Sequence, residues 1–179
     1  MSPKENEIAD AILDYIQKGF EQEDKRTESL DSKSQFLVSI TSFLTGASFA
    51  IITLVFKDLV TLFQNIVCVK IIIGIFLIIS DICFLAATIH AIRSGAIRKY
   101  KANLIFNSND IDKWRSTGAA EFKINQAKQL QQNWLLNRIE NDSKALFLRK
   151  ATIWLSCGSI ALSFGVLLSF GYMLVWIYI

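Results

Sequence analysis

The sequence predicts an all-α membrane protein with three transmembrane helices and a helical cytoplasmic module. Three hydrophobic stretches, at about 36–56, 66–92 and 151–179, carry this prediction. Each is long enough to cross a bilayer as an α-helix, which takes roughly 20 apolar residues. The composition agrees, because 52% of the residues are hydrophobic and the mean hydropathy is +0.36, which is high for a soluble domain. We therefore expect the bilayer to be where the protein acts.

The first expected domain, residues 1–35, is a charged amphipathic helix. An apolar stripe recurs at helical spacing and predicts a helix over 5–34 that continues without a break into the first span. The stripe comprises Ile8, Ile12, Leu13, Ile16 and Phe20. Two interpretations stay open. The helix either lies on the membrane or on the chain's own middle segment, or it is a multimerisation helix.

Residues 36–92 are expected to form a transmembrane helical hairpin, because the connector 57–65 is short. Asp81 lies near the middle of the second span, where an ionisable group costs several kcal/mol and normally faces protein or water. It is interpreted either as a pore-lining or inter-helix carboxylate, or as a protonated Asp that is hydrogen-bonded to a Ser or Thr of a neighbouring helix.

Small residues mark faces on two of the spans. Ser39, Ser42 and Gly46 share a face of the first span, and Gly165 lies among small residues spaced four apart in the third. Such spacing lets helices approach closely, so helix packing is one interpretation. A weakly polar pore lining is the alternative, and both describe spans that pack against other helices.

Residues 93–150 are expected to form a basic cytoplasmic helical module. They carry twelve Lys/Arg against five Asp/Glu, a net charge of +7, whereas residues 1–35 carry five against nine, a net charge of −4. The positive-inside rule places both segments in the cytoplasm. A set of cations could bind an anionic ligand such as a nucleotide phosphate: Arg93, Arg98, Lys99, Lys101, Lys113 and Arg115. Topology and anionic lipids are the alternative explanation of these charges.

The last expected domain, residues 151–179, is a C-terminal transmembrane helix that continues the helix predicted from Glu121. At 29 residues it is longer than the hydrocarbon core, so it must tilt or extend beyond the core. No phosphate loop, dinucleotide, hydrolase or zinc motif occurs, and His90 is the only histidine. We therefore expect no enzyme activity, no metal and no cofactor.

Several short motifs, in order, resemble a known family. A charged helix ends in Leu30-Asp31-Ser32-Lys33-Ser34 before the first span, and Ile105-Phe106-Asn107 follows the hairpin. A run from Gln126 through Lys144 to Leu148-Arg149-Lys150-Ala151 then enters the last span. From about Glu21 to its end, the chain resembles the transmembrane effectors of Pycsar antiphage systems (PycTM).

The resemblance implies a bacterial inner-membrane effector with a cytoplasmic N-terminus. A cyclic pyrimidine mononucleotide, cCMP or cUMP, would activate it to impair the membrane and abort infection. Its partners would be the lipid bilayer, the cyclic mononucleotide and further copies of the chain, with no nucleic acid polymer. Module and spans would be coupled at Asp31, Lys33, Lys144 and Arg149. The alternatives are a related small membrane toxin triggered by another nucleotide or a protein, and a structural membrane subunit.

Overall fold

The computed structural model describes residues 3–62, 67–97 and 118–178, and the structural statements below concern these residues. They form three α-helices and no strand: α1 (Pro3–Leu62), α2 (Val67–Ala96) and α3 (Ala119–Tyr178). Each helix contains a segment that is long and apolar enough to cross a membrane. The prediction of an all-α protein with three such helices is confirmed.

Two of the helices are much longer than a membrane span. α1 and α3 have 60 residues each, about 90 Å at the rise of an α-helix. The only proline of the chain, Pro3, is the first residue of α1, where it removes no helical hydrogen bond. The predicted unbroken continuation of both charged helices into apolar ones is therefore confirmed. α2 ends at Ala96, whereas the predicted hairpin ends at residue 92. Hydropathy marks where the apolar segment ends, and the backbone hydrogen bonds of the helix continue beyond that point.

The buried residues of all three helices recur at alternating steps of three and four. This period of 3.5 is the pattern of coiled coils, in which one seam faces a neighbouring helix along its whole length. On α2 the steps are complete from Ile73 to Ser94, and Gly74 and Cys83 are buried beside them. The residues at these steps are Ile73, Leu77, Ser80, Phe84, Ala87, Ala91 and Ser94.

The described chain divides into two compact units. Unit 1 comprises the residues up to Asp31 and those from Ile97 to Lys144, and unit 2 comprises Ser32–Ala96 and the residues from Ala145 onward. In unit 1, α1 and α3 are parallel, because Asp10 contacts Lys123 and Asp31 contacts Lys144, a nearly constant offset along the two chains. Unit 1 is thus a parallel pair of helices.

Unit 2 is a bundle of three helices. α2 is antiparallel to α1, because Ser34 contacts Ala91 and Thr41 contacts Thr88, so the numbers rise on one helix and fall on the other. Gly158 and Gly165 of α3 lie against Phe84 and Leu77 of α2 in the same opposed order. The predicted antiparallel arrangement of the first two spans agrees with these contacts.

The apolar stripe predicted near the N-terminus does not stay together on one face. Ile16 is buried in a small cluster with Ala127 and Leu130, and Leu13 packs against it. Ile8 and Ile12 are exposed. The reason is the seam period: residues spaced four apart drift around the helix, so only part of the row remains on the seam.

Candidate functional site

The seam of unit 1 has a polar interior, in which a charged pair lies between the helices. The Lys144 ammonium is 2.6 Å from Asp31 Oδ1, and only 2% of the lysine side chain is exposed, against 41% for the aspartate. An ammonium removed from water needs a counter-charge and hydrogen-bond acceptors. The structure thus brings together two of the four residues proposed for coupling, while Lys33 and Arg149 are exposed.

One turn toward the N-termini, a second polar layer fills the seam. The Asn141 amide nitrogen donates to the Glu23 carboxylate at 2.8 Å and lies 3.1 Å from the Glu23 carbonyl oxygen. The Thr27 hydroxyl lies 3.0 Å from Asn141 Oδ1 and 2.8 Å from the same carbonyl. Thr27 and Asn141 are both buried. Buried polar groups that are satisfied in this way favour one register of the two helices over others.

Arg26 covers the edge of this layer. Its guanidinium donates to Asp142 Oδ1 at 2.8 Å, and it lies 3.4 Å from Glu23 Oε2. The hydrogen bond to Asp142 is the main cause that raises the pKa of Arg26. Because Asp142 is largely exposed, water screens this pair and it adds little to stability. Its effect is on orientation: it links the two helices in the same register as the buried layer.

Asn137 is the exception in the seam. The residue is 2% exposed, and neither its amide nitrogen nor its amide oxygen has a hydrogen-bond partner. Glu140 Oε2 is also buried without a partner. A buried polar atom left unpaired costs about 1–3 kcal/mol. The seam therefore combines satisfied and unsatisfied polar positions, which makes its packing less favourable than that of an apolar coiled coil.

The interior of unit 2 contains a row of hydroxyl groups from α1. Ser34, Thr41 and Ser48 follow one another at seven-residue intervals and are all buried. The Ser34 hydroxyl donates to the Ala91 carbonyl at 2.6 Å, and the Thr88 hydroxyl is 2.8 Å from that of Thr41. Small hydroxyl side chains at these positions let the helices approach closely. The hydroxyls of Ser34 and Thr41 are paired, whereas Ser48 Oγ is buried without a hydrogen-bond partner.

Close packing in unit 2 also depends on glycines of α3. A Cβ at Gly158 would lie 2.7 Å from the Phe84 ring, and one at Gly165 would lie 3.5 Å from Leu77 and Phe76. The Phe76 and Phe164 rings stack beside them, with centroids 6.0 Å apart. Gly165 therefore lies at an interface between helices, as the packing interpretation of its small neighbours expects.

The small-residue face of α1 that the sequence suggests for helix packing lies outside this interior. Ser39, Ser42 and Gly46 are exposed, and a Cβ at Gly46 would meet nothing within 4 Å. Among the described residues of one chain, no other helix packs against this face. Its packing against a second copy, or its exposure to a pore, stays a prediction.

The remaining predicted site residues fall into two groups. Asp81 is half-buried, and its Oδ1 atom is buried without a hydrogen-bond partner. Arg93 is exposed near the end of α2. The other predicted ligand-binding cations lie outside the described residues: Arg98, Lys99, Lys101, Lys113 and Arg115.

Sequence analysis did not single out Thr27, Asn137, Asn141 or Ser48 as functional positions. A signal was present for two of them, because Thr27 and Ser48 fall on the same seven-residue repeat as Ser34 and Thr41. Hydropathy could not reveal it, since the first part of the repeat lies in a charged segment and the rest in an apolar one.

The geometry defines the class as an all-helical protein with three helices that could cross a membrane, compatible with a membrane protein. No protein-family model matches the chain, and neither a curated protein nor a solved structure matches it.

Proposed function

We propose that this protein is an inner-membrane effector of a bacterial antiphage system, activated by a cyclic pyrimidine mononucleotide to impair the membrane and abort infection. The cytoplasmic module would be unit 1, which includes the basic segment 98–117, and the three apolar helices would span the bilayer. The resemblance of the boundary motifs to Pycsar effectors supports the choice of signal. The charge distribution supports a cytoplasmic N-terminus.

One structural observation carries the proposal. The two helices that form the polar seam of unit 1 are the same two that continue as apolar helices long enough to cross a membrane. A passive anchor needs no buried Lys144–Asp31 pair and no unpaired Asn137. The buried pair favours one register of the two helices, and the unpaired polar atoms of Asn137 make that register less stable than an apolar seam would be.

The mechanism we infer begins at this seam. A bound nucleotide or a change of assembly alters the pairing of α1 with α3 in the module. Because both helices continue into the membrane without a break, their spans then repack through small-residue faces such as that of Ser39, Ser42 and Gly46. Permeabilisation follows from this repacking. Further copies of the chain would take part, since three helices are too few to enclose a wide pore.

The first experiment measures membrane damage in cells. The protein is expressed with and without a pyrimidine nucleotide cyclase, and uptake of a membrane-impermeant dye is followed together with growth. We expect uptake and growth arrest only when the cyclase is active. Uptake with an inactive cyclase would favour a toxin with another trigger. Absence of both uptake and growth arrest would contradict the proposal.

The second experiment tests the anionic ligand with a matched pair of charge substitutions. Arg93→Gln removes a predicted phosphate-binding cation, whereas Lys128→Gln removes an exposed cation of α3 that is not among them. Release of a dye from liposomes that contain the purified protein is titrated with cCMP and with cUMP. We expect Arg93→Gln to raise the half-effective nucleotide concentration about tenfold, the effect of losing one charged contact. Equal curves for both variants would contradict a role for Arg93.

A further inference from the structure

In the described part of unit 2, two buried oxygen atoms lack a hydrogen-bond partner. One is Oδ1 of Asp81 on α2, and the other is Oγ of Ser48 on α1. Ser48 as a whole residue is 0% exposed. Other hydroxyls of α1 donate to the carbonyl four residues earlier, as those of Thr41 and Thr45 do. The Ser48 hydroxyl does not, so it is free to bind something else.

The helix register brings these two atoms to the same layer. Thr41 of α1 contacts Thr88 of α2, and the two helices are antiparallel. Moving seven residues forward on α1 and seven back on α2, one full repeat of the seam, leads to Ser48 and Asp81. The two unpaired oxygens therefore face the same interface between α1 and α2, yet they do not hydrogen-bond to each other.

No charged side chain of the spans can neutralise Asp81. Its nearest charged neighbours on α2 are Lys70 and Arg93, at 11 and 12 residues, or about 16–18 Å along the helix. α1 has no charged residue between Lys33 and Lys57. α3 has none after residue 150, and the other titratable groups within 34–56, 71–92 and 151–171 are Cys83, His90 and Cys157. A carboxylate at this depth must therefore acquire its positive charge from outside the chain.

We propose that Asp81 and Ser48 bind a small monovalent cation, a sodium ion, between α1 and α2. A carboxylate and a hydroxyl are hard oxygen ligands, which suit such cations and suit neither soft metals nor anions. The bound cation neutralises the carboxylate and supplies the missing partner of both oxygens. The site requires unit 2 to be in a bilayer, but it does not depend on the nucleotide signal of the proposed function.

The test uses an apolar carbodiimide, dicyclohexylcarbodiimide, on the full-length protein in liposomes. The reagent adds to a protonated carboxylic acid, taking up its proton, and the adduct rearranges to a stable N-acylurea that mass spectrometry locates. Asp81 is half-buried, so the reagent can reach it. Labelling is measured against pH and against sodium chloride, with choline chloride keeping the ionic strength constant.

At each pH we expect labelling of Asp81 to fall as the sodium concentration rises. Labelling that does not change with sodium at any pH would overturn the proposal. Ser48→Ala should raise the half-effective sodium concentration about tenfold, which corresponds to roughly 1.4 kcal/mol. Ser48→Thr, which keeps the hydroxyl, should restore the wild-type value.

Ser39→Ala is the matched control, because Ser39 lies on the exposed face of the same helix. It should leave the curves unchanged. Equal curves for Ser48→Ala and wild type would overturn the proposal, and so would an Asp81 that is not labelled under any condition. Resistance of the protein to carbonate extraction checks separately that it is inserted in membranes. Since no nucleotide is present, failure here is distinguishable from failure of the proposed function.

Discussion

The contact between Gly158 and Phe84 permits a quantitative test of the bundle in unit 2. A Cβ at position 158 would lie 2.7 Å from Cε1 and 2.8 Å from Cδ1 of the Phe84 ring, and 3.1 Å from Cβ of Cys83. The ring is completely buried, so it cannot swing into the surroundings to make room. The substitution Gly158→Ala must therefore displace packed atoms.

The expected magnitude follows from two opposing terms. Overpacking a close-packed interior costs about 1–3 kcal/mol. Alanine in place of glycine inside a helix returns about 1 kcal/mol. Gly46→Ala is the matched control, because a Cβ there meets nothing within 4 Å and only the favourable term applies. The free energies of unfolding of the two variants should therefore differ by about 1–3 kcal/mol, with Gly158→Ala the less stable.

The assay is thermal unfolding of the two purified variants in the same detergent, followed by circular dichroism. A difference of this size lowers the midpoint of Gly158→Ala by roughly 2–4 °C per kcal/mol relative to Gly46→Ala for a chain of this length. Adding Phe84→Leu to Gly158→Ala should recover part of the loss by making space. Equal midpoints for the two alanine variants would refute the packing of α3 on α2.

Three further predictions concern the seam of unit 1. Lys144→Met should destabilise the protein by less than Asp31→Asn, because methionine removes the buried charge whereas asparagine leaves the buried ammonium without the counter-charge of Asp31; equal thermal midpoints would argue against the pair. Cysteines that replace Thr27 and Asn141, in a background free of other cysteines, should form a disulfide within one chain under mild oxidation. Disulfides that form only between chains would contradict the parallel seam. Asn137→Leu should raise the free energy of unfolding by about 1–3 kcal/mol, and with it the thermal midpoint, since it removes an unpaired amide; a lower midpoint would show that the amide has a partner outside the chain.

The continuity of the helices was predictable from the sequence. A single proline at Pro3 and the absence of further strong helix breakers in 5–56 and 121–178 leave nothing to interrupt the backbone hydrogen bonds. The apolar segments were equally predictable, because crossing a bilayer requires about 20 apolar residues in a row. These features depend only on neighbours along the chain, so one sequence suffices to read them.

The pairing of residues between α1 and α3 was harder to predict from the sequence. The motif resemblance points to Asp31 and Lys144 as coupling residues, and the structure places their charged atoms 2.6 Å apart in unit 1. Nothing local to either helix predicts that distance, since it depends on the register between two helices separated by more than a hundred residues. The same register buries Thr27 and Asn141. The sequence of either helix alone does not indicate that these residues are buried.

The sequence by itself determined three apolar helices, two of them extended by charged segments, and a carboxylate at Asp81 in the middle of the second. Only the tertiary structure decided which side of α1 is the interior. Two faces of small polar residues compete there, one through Ser39, Ser42 and Gly46 and one through Ser34, Thr41 and Ser48. Their compositions are nearly equal, so propensity and hydropathy cannot separate them. Burial was decided by the side chains of α2 and α3 that each face would meet.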